Sequence, residues 1–400
     1  MGNPRMTAPD TKEQEPTQRL RPGPLAARWA GLGFCLVLAQ ACGSNDASVD
    51  GALDGAVDGA LDGAVDGALG DAGIDGLVAD AEPAVDLRPV APAPYPRPSY
   101  RVLSETGLFA GPGFGPTGKE VAPGLQGFQP AFQLWSDGAD KRRWVSLPPS
   151  TRIDTSEMDH WVFPVGTRLW KEFSHGGVRL ETRLIERYGD GPEDYWMGAF
   201  VWTADQSEAV LAVDGALDIN GTAHDAPAAK LCGSCHRGET GRVLGVSAIQ
   251  LSHPGPGLTV DGLAQAGLLS HPPAAPASFG PETDPTTRAA LGYLHANCGH
   301  CHNPQGASWP DTQVVLRLSV AERVPQTTAL WKTVVGQRLT YWRHPTLTHR
   351  VVAGQPEASA LWARMNSRGS RDQMPSLATE RVDNAGLAAL AAWIAALPDP

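Results

Sequence analysis

Two five-residue strings, Cys232-Gly-Ser-Cys235-His236 and Cys298-Gly-His-Cys301-His302, each hold two thiols two residues apart with an imidazole directly after the second. This C-x-x-C-H spacing is the attachment signature for covalently bound c-type haem, and it constrains the chain more than any other feature. Thiols at that separation can add to the two vinyl groups on one edge of a porphyrin, and the histidine that follows then lies under the iron as proximal ligand. The sequence therefore predicts two haem c groups. Cys232, Cys235, Cys298 and Cys301 are the attachment points, and His236 and His302 are the iron ligands. Two other uses of paired cysteines stay open. Four cysteines in two C-x-x-C pairs can build a structural zinc site. Against zinc, both pairs carry the extra histidine, and the 66 residues from Cys232 to Cys298 exceed the ribbon separation of about 15 to 20. A redox disulfide would need a βαβ setting, which the sequence does not offer.

The N-terminal residues speak to location. Arg19, Arg21 and Arg28 lead into an apolar run from Trp29 to Ala41, followed by Cys42. Residues 1–42 read as an export signal, and a 13-residue run is short for a membrane span of about 20. The string Leu38-Ala39-Gln40-Ala41-Cys42 resembles a bacterial lipoprotein box. That resemblance implies lipidation of Cys42 and a chain anchored to a bacterial membrane, facing the periplasm or cell surface. Ala39 and Gln40 stand where such a box has leucine and a small residue, so an ordinary signal peptide or an uncleaved anchor stays open. Export agrees with the haem motifs, because bacteria attach haem c outside the cytoplasm.

Residues 43–98 form an acidic low-complexity linker. Five tetrapeptides alternate Val-Asp-Gly-Ala with Leu-Asp-Gly-Ala between Val49 and Ala68. Residues 43–87 carry ten Asp, one Glu and no Lys or Arg, a charge of −11 that equals that of the whole chain. Self-repelling aspartates and flexible glycines make a solvated tether. The period of four fits neither an EF-hand loop nor a calcium-binding nonapeptide repeat. The remaining residues are close to neutral, which leaves no basic footprint for nucleic acid. Of the six cysteines, Cys35 lies in the apolar run, Cys42 at the lipid site and four in the motifs, so no disulfide framework remains.

Residues 99–240 read as a β-rich domain that ends in the first motif. Alternating apolar and polar residues predict strands at Trp144 to Leu147, Trp161 to Phe163, Thr167 to Phe173, Val178 to Arg187, Met197 to Thr203 and Ala209 to Val213. Asp190-Gly191-Pro192 supplies a turn. The charged group Asp137, Lys141, Arg142 and Arg143 has two readings: recognition of haem propionates by arginine, or a solvated strand edge. Glu181, Arg183 and Arg187 carry the same pair of readings. Phe163-Pro-Val-Gly-Thr167 leading into Leu169-Trp-Lys-Glu-Phe173, with C-x-x-C-H closing the region, resembles the cytochrome P460 and cytochrome c′-β group. The resemblance implies a β-rich fold around a c-type haem whose distal face can be open. P460 proteins add a lysine cross-link to the haem, and Lys171 lies in the matching segment. Read from its own surroundings, Lys171 is a surface lysine on a strand. The sixth ligand of this first iron stays unassigned among Met158, His160, His175, Met197, His224, His253 and His271.

After a connector over 241–285, residues 286–400 read as a mainly α domain. Asp284 caps a helix from Pro285 to Asn297 that delivers the second motif. A terminal helix follows Asp383, with Leu387, Leu390, Ile394 and Leu397 on one side. A further helix is expected from Glu357 to Met365, with Met365 in the core, and a strand within Val314 to Leu318. A helix ending in C-x-x-C-H, a later loop methionine and a terminal amphipathic helix resemble class I cytochrome c. That resemblance implies that the first and last helices pack together and that Met374, followed by Pro375, is the distal ligand of the second iron.

The fold class expected is therefore α+β in two domains, a β-rich haem domain followed by a cytochrome c-like one. The order of parts resembles a family of bacterial diheme c-type cytochromes. The motifs that carry it are Ser136-Asp-Gly-Ala-Asp-Lys, Phe163-Pro-Val-Gly-Thr, Glu181-Thr-Arg-Leu, both C-x-x-C-H strings, Val352-Ala-Gly-Gln-Pro-Glu-Ala-Ser and Met374-Pro. The function implied is single-electron transfer between redox proteins that donate and accept electrons, on a chain held to a membrane by its lipid. The alternatives are a P460-like enzyme that oxidises hydroxylamine or nitric oxide, a peroxidase, and a haem-based gas-binding module.

Overall fold

The computed structural model describes residues 97–110 and 120–398. The export signal, Cys42 and the acidic repeats lie outside the described residues. The fold is mixed α and β, built on a six-stranded antiparallel sheet whose strands neighbour one another in chain order. They are β1 (Gln126–Gly127), β2 (Asp140–Ser146), β3 (Arg168–His175), β4 (Val178–Arg187), β5 (Tyr195–Trp202) and β6 (Ala209–Leu211).

Period-two alternation gives the sheet two different faces. On one, Trp144, Trp170, Leu184, Phe200 and Trp202 pack with Leu103 and Leu108 from the segment preceding the sheet. The indole nitrogens buried there keep hydrogen-bond partners, as such donors require. Trp170 donates to Thr106 Oγ1 at 3.0 Å, and Trp202 to Thr182 Oγ1 at 3.0 Å. On the other face, Val145, Leu169 and Ile185 close over Phe128, Ile153, Trp161 and Phe163. The strand expected at Trp161 to Phe163 is absent. Val162 makes a single bridge to Asp154, while Trp161 and Phe163 are drawn into this second core. Their burial, rather than a ladder, explains the apolar pattern.

The chain then turns helical. In order come α1 (Cys232–His236), α2 (Ala248–Leu251), α3 (Val260–Gln265), α4 (Pro285–Asn297), α5 (Trp309–Thr312), α6 (Ala329–Val334), α7 (Ala360–Met365) and α8 (Asn384–Ala396). Asp284 caps α4 by accepting from Thr287 N at 3.0 Å, and Pro285 fills its first turn, where a missing N–H costs nothing. Asp383 caps α8 in the same way through Gly386 N, at 3.0 Å. Helices α4 and α8 pack together around Ala290, Leu291, Leu294, Leu390, Trp393 and Ile394. Their approach is close enough to need glycine. A Cβ at Gly386 would meet the Tyr293 ring at 2.2 Å.

Two expectations in this half are corrected. Val314 to Leu318 forms no strand, because its amides are taken by other groups. Val315 N donates to Thr333 Oγ1 at 3.1 Å, Leu316 N to His302 O at 2.8 Å and Leu318 N to His295 Nδ1 at 3.1 Å. The helix expected from Glu357 begins only at Ala360. A 3-10 turn spans Pro356–Ala358, and Ser359 then spends its hydroxyl on the backbone, accepting from Val352 N and donating to Gln355 O, both at 2.8 Å. Met365 is buried in the α4–α8 core as expected.

The strand-rich and helical residues belong to one compact unit. Trp135 N donates to Asn297 Oδ1 at 2.7 Å, and Asp159 Oδ1 accepts from Val320 N at 2.8 Å. Asp137 Oδ1 accepts from Glu380 N and Arg381 N, at 3.0 and 2.8 Å. Asp137 is thus buried and occupied as a clamp, which corrects its placement in a solvated edge. Arg142 does stand on the exposed side, paired with Glu172 at 2.6 Å. Among the described residues no helix is long and apolar enough to cross a membrane.

Candidate functional site

The two C-x-x-C-H strings, far apart in sequence, lie against each other. The first is the helical turn α1. The second continues from α4 as a turn in which His302 N donates to Cys298 O at 2.9 Å. A Cβ at Gly238, just past the first motif, would sit 2.1 Å from the carbonyl oxygen of His300 in the second. Glycine at 238 is what permits this approach. Arg317 pins the junction, donating to Gly238 O at 3.2 Å and pairing with Glu239 at 2.7 Å.

The histidine that closes each motif, His236 or His302, has its tautomer fixed by a hydrogen bond inside the fold. His236 Nδ1 lies 2.6 Å from Arg242 O. A carbonyl can only accept, so Nδ1 carries the proton and Nε2 keeps the lone pair. His302 reaches the same state by another route. Its Nδ1 is 3.0 Å from Ser308 Oγ, and that hydroxyl spends its one proton on Cys301 O at 2.7 Å. The imidazole must therefore donate, and its Nε2 is left as acceptor. Burial pushes both rings down to about 4, so both are neutral near pH 7. A neutral imidazole with its far nitrogen tied to a second group is how proteins present a metal-ligating histidine. Arg242 and Ser308 could not be found from the motif, because each acts through local backbone geometry after it.

Cys232, Cys235 and His236 line a cavity of about 680 Å³ between α1 and the sheet, within the range of about 300 to 1,000 Å³ typical of small-molecule and cofactor sites. Cys232 and His236 also border a groove of about 770 Å³ on the other side of α1. Of the residues considered for the sixth position on the first iron, Met197 and His224 line the cavity beside the sheet with His236. His224 is engaged elsewhere, with Nε2 2.8 Å from Glu181 Oε2. His253 holds Gln129 O at 2.7 Å, and Met158 packs into the core below the sheet. Lys171 also lines the cavity, which corrects its reading as a surface lysine.

His302 and Met374 line one cavity, with Leu316, Val334, Trp342 and Arg364 among its walls. The donor set and the apolar lining suit a histidine and thioether ligated haem. The space does not. Its volume of about 90 Å³ is below the lower bound of about 300 Å³ for such sites. Tyr341, which is exposed, and Trp342 form one wall of it.

Where the motifs meet, one ligand atom each from Cys235, His300 and Cys301 lie within 4.8 Å of one another. Cys301 Sγ donates to Ser234 O at 3.7 Å, and the closeness of the Cys235 and Cys301 thiols lowers the first and raises the second. Cys232 and Cys298 stand outside this cluster, and burial pushes Cys298 up to about 12. Four thiolates converging on one ion, as in a zinc ribbon, are therefore not what the fold assembles. His300 Nδ1 is buried with no hydrogen-bond partner. Compared with protein-family models, curated proteins and solved structures, the chain matches none.

Proposed function

We propose that this chain is an exported diheme c-type cytochrome that transfers single electrons. One haem would be joined through Cys232 and Cys235 with His236 on its iron, and the other through Cys298 and Cys301 with His302 and Met374, whose shared cavity of about 90 Å³ would have to widen to take it. The observation that carries this reading is the state of the two motif histidines. Both are neutral and both have Nδ1–H tied to an internal acceptor, so each has one nitrogen free for a metal. When bound, haem supplies the one-electron chemistry. The protein's own residues would set its potential by burial and by the axial ligands they offer.

In this reading the strand-rich residues and α1 act as a P460-like or c′-β-like haem domain. The residues from α4 onward act as a cytochrome c-like domain. The closeness of Cys235 and Cys301, within 4.8 Å, would suit passage of electrons between two centres held by the two motifs. Lipid on Cys42 would hold the chain to a bacterial membrane facing the periplasm or cell surface, within reach of donor and acceptor redox proteins.

A second reading is favoured by the Cys235–His300–Cys301 cluster, which offers three donors to a soft ion such as zinc. The two are exclusive, because thioethers consume both thiols. Protein matured with a cytochrome c assembly system is assayed by pyridine haemochrome for the haem to polypeptide ratio, and by elemental analysis for zinc. Two covalent haems per chain are expected. Stoichiometric zinc without haem would sink the first reading and install the second.

A further inference from the structure

The sheet register places three cations side by side on the cavity face. Arg143 on β2 pairs with Lys171 on β3, and Lys171 pairs with Arg183 on β4. Neighbouring strands lie about 4.8 Å apart, so the row spans about 10 Å. Like charges directly opposite one another destabilise a sheet unless something offsets them.

Only one end of the row is offset. Arg183 donates to both oxygens of Glu181, at 2.6 and 2.9 Å, and Glu181 also holds His224. Arg143 is 6 % exposed, and its Nη2 reaches a neutral acceptor, Gln133 Oε1, at 3.0 Å. Its Nη1 is buried and has no acceptor. The Lys171 ammonium sits 4.8 Å from the centre of the Phe173 ring and has no hydrogen-bond acceptor among the described residues. Burial lowers Arg143 to about 10 and Lys171 well below its usual value. Two basic side chains thus face the cavity with no carboxylate bonded to them; Asp214 and Asp225 line the same cavity elsewhere, and burial disfavours the charged forms until an anion pairs with them.

We propose that Arg143 and Lys171 form a carboxylate-binding site that takes the two propionate groups of a haem joined at Cys232 and Cys235. The proposal rests on the haem reading above and names residues for it. The attachment thiols and both cations line the same cavity. Arg183, the member of the row whose charge acts on Cys232 and Cys235, is already neutralised. The free cations occupy the rest of the row, and a porphyrin carries its carboxylates on the edge away from its vinyl groups. Two carboxylates match two basic side chains that lack an acid partner and that an arriving anion would hold in their charged forms, and the planar fork of arginine suits a carboxylate. A small free oxyanion or carboxylate has the same chemistry and is the other source to separate.

The test uses the full chain loaded with haem, as wild type, Arg143→Gln, Lys171→Gln and Arg143→Lys. The haem to polypeptide ratio is counted first, and midpoint potentials are then read by spectroelectrochemistry with and without added acetate or nitrite. We expect two haems in every variant. The potential of one haem should fall in both Gln variants, because loss of a nearby cation disfavours the added electron. The other haem should stay unchanged, Arg143→Lys should restore part of the shift, and the added anions should have no effect. Unchanged potentials in both Gln variants with two haems present would overturn the proposal while leaving the haem reading standing. A wild-type potential that responds to acetate or nitrite, with the response lost in the Gln variants, would overturn the propionate assignment in favour of a free anion. A wild type without haem at Cys232 and Cys235 would overturn both readings.

Discussion

Asp137 is the residue whose loss should travel furthest through the fold. It is 7 % exposed and sits at φ 49°, in the left-handed region. A single oxygen, Oδ1, accepts from Glu380 N and Arg381 N at 3.0 and 2.8 Å. These bonds tie the turn before β2 to the segment that follows Met374. Hydrogen bonds to a charged group contribute about 1.5 to 3 kcal/mol each. Alanine would lose both and add about 1 kcal/mol of left-handed strain. Glu380 and Arg381 are exposed, so water recovers part of the loss, and we expect Asp137→Ala to cost about 3 kcal/mol overall. Asparagine tolerates left-handed backbone and keeps an oxygen in the Oδ1 position, so Asp137→Asn loses only the charge and should cost about 1 kcal/mol. Denaturant unfolding gives both values, and amide exchange at residues 380 and 381 reports the clamp directly. Equal destabilisation by Ala and Asn, or unchanged exchange in the Ala variant, would refute the clamp.

Three further outcomes follow from other contacts. Glu181 is fully buried, which alone would raise its pKa, yet Arg183 and His224 hold it below its ordinary 4.5. Its stabilisation is therefore present above that value and lost as pH falls through the lowered one. Glu181→Gln should cost about 3 kcal/mol at pH 7 and show a shallower acid limb in unfolding followed against pH. His295 works in the same direction over a different window, because burial pushes it down to about 3 and its Nδ1 accepts from Leu318 N. Between pH 6.5 and that value the unfolded chain binds a proton that the folded chain refuses. Stability should fall with pH there, by up to about 1.4 kcal/mol per unit, and His295→Gln should flatten the profile. Gly386→Val would drive a side chain into the Tyr293 ring. It should cost about 2 kcal/mol or more by overpacking, read as a lowered melting temperature; a neutral result would show that α8 can slide on α4.

Local rules carried much of the fold. Asp284 and Asp383 cap the helices they were expected to cap, because an N-cap depends only on the next three residues. Strand β4 spans the expected Val178 to Arg187, since alternation over ten residues has one reading. The failures share a cause. Trp161 to Phe163 and Val314 to Leu318 are apolar because they are buried, and their backbone partners are distant groups such as Thr333 and His295 that no local pattern names.

The candidate site divides in the same way. The sequence by itself singled out the residues on which the haem proposal rests, because C-x-x-C-H spacing is local and needs no partner. The resemblance to class I cytochrome c put Met374 opposite His302, and the two side chains line one small cavity. Only the tertiary structure decided that the two motifs touch, that Arg242 and Ser308 fix the ring tautomers, and that Met197 shares the cavity of His236. It alone turned Arg143, Lys171 and Arg183, spread over 41 positions in sequence, into one row. The physical reason is strand register, which is set by the whole sheet and its two cores and converts separations along the chain into neighbours about 5 Å apart.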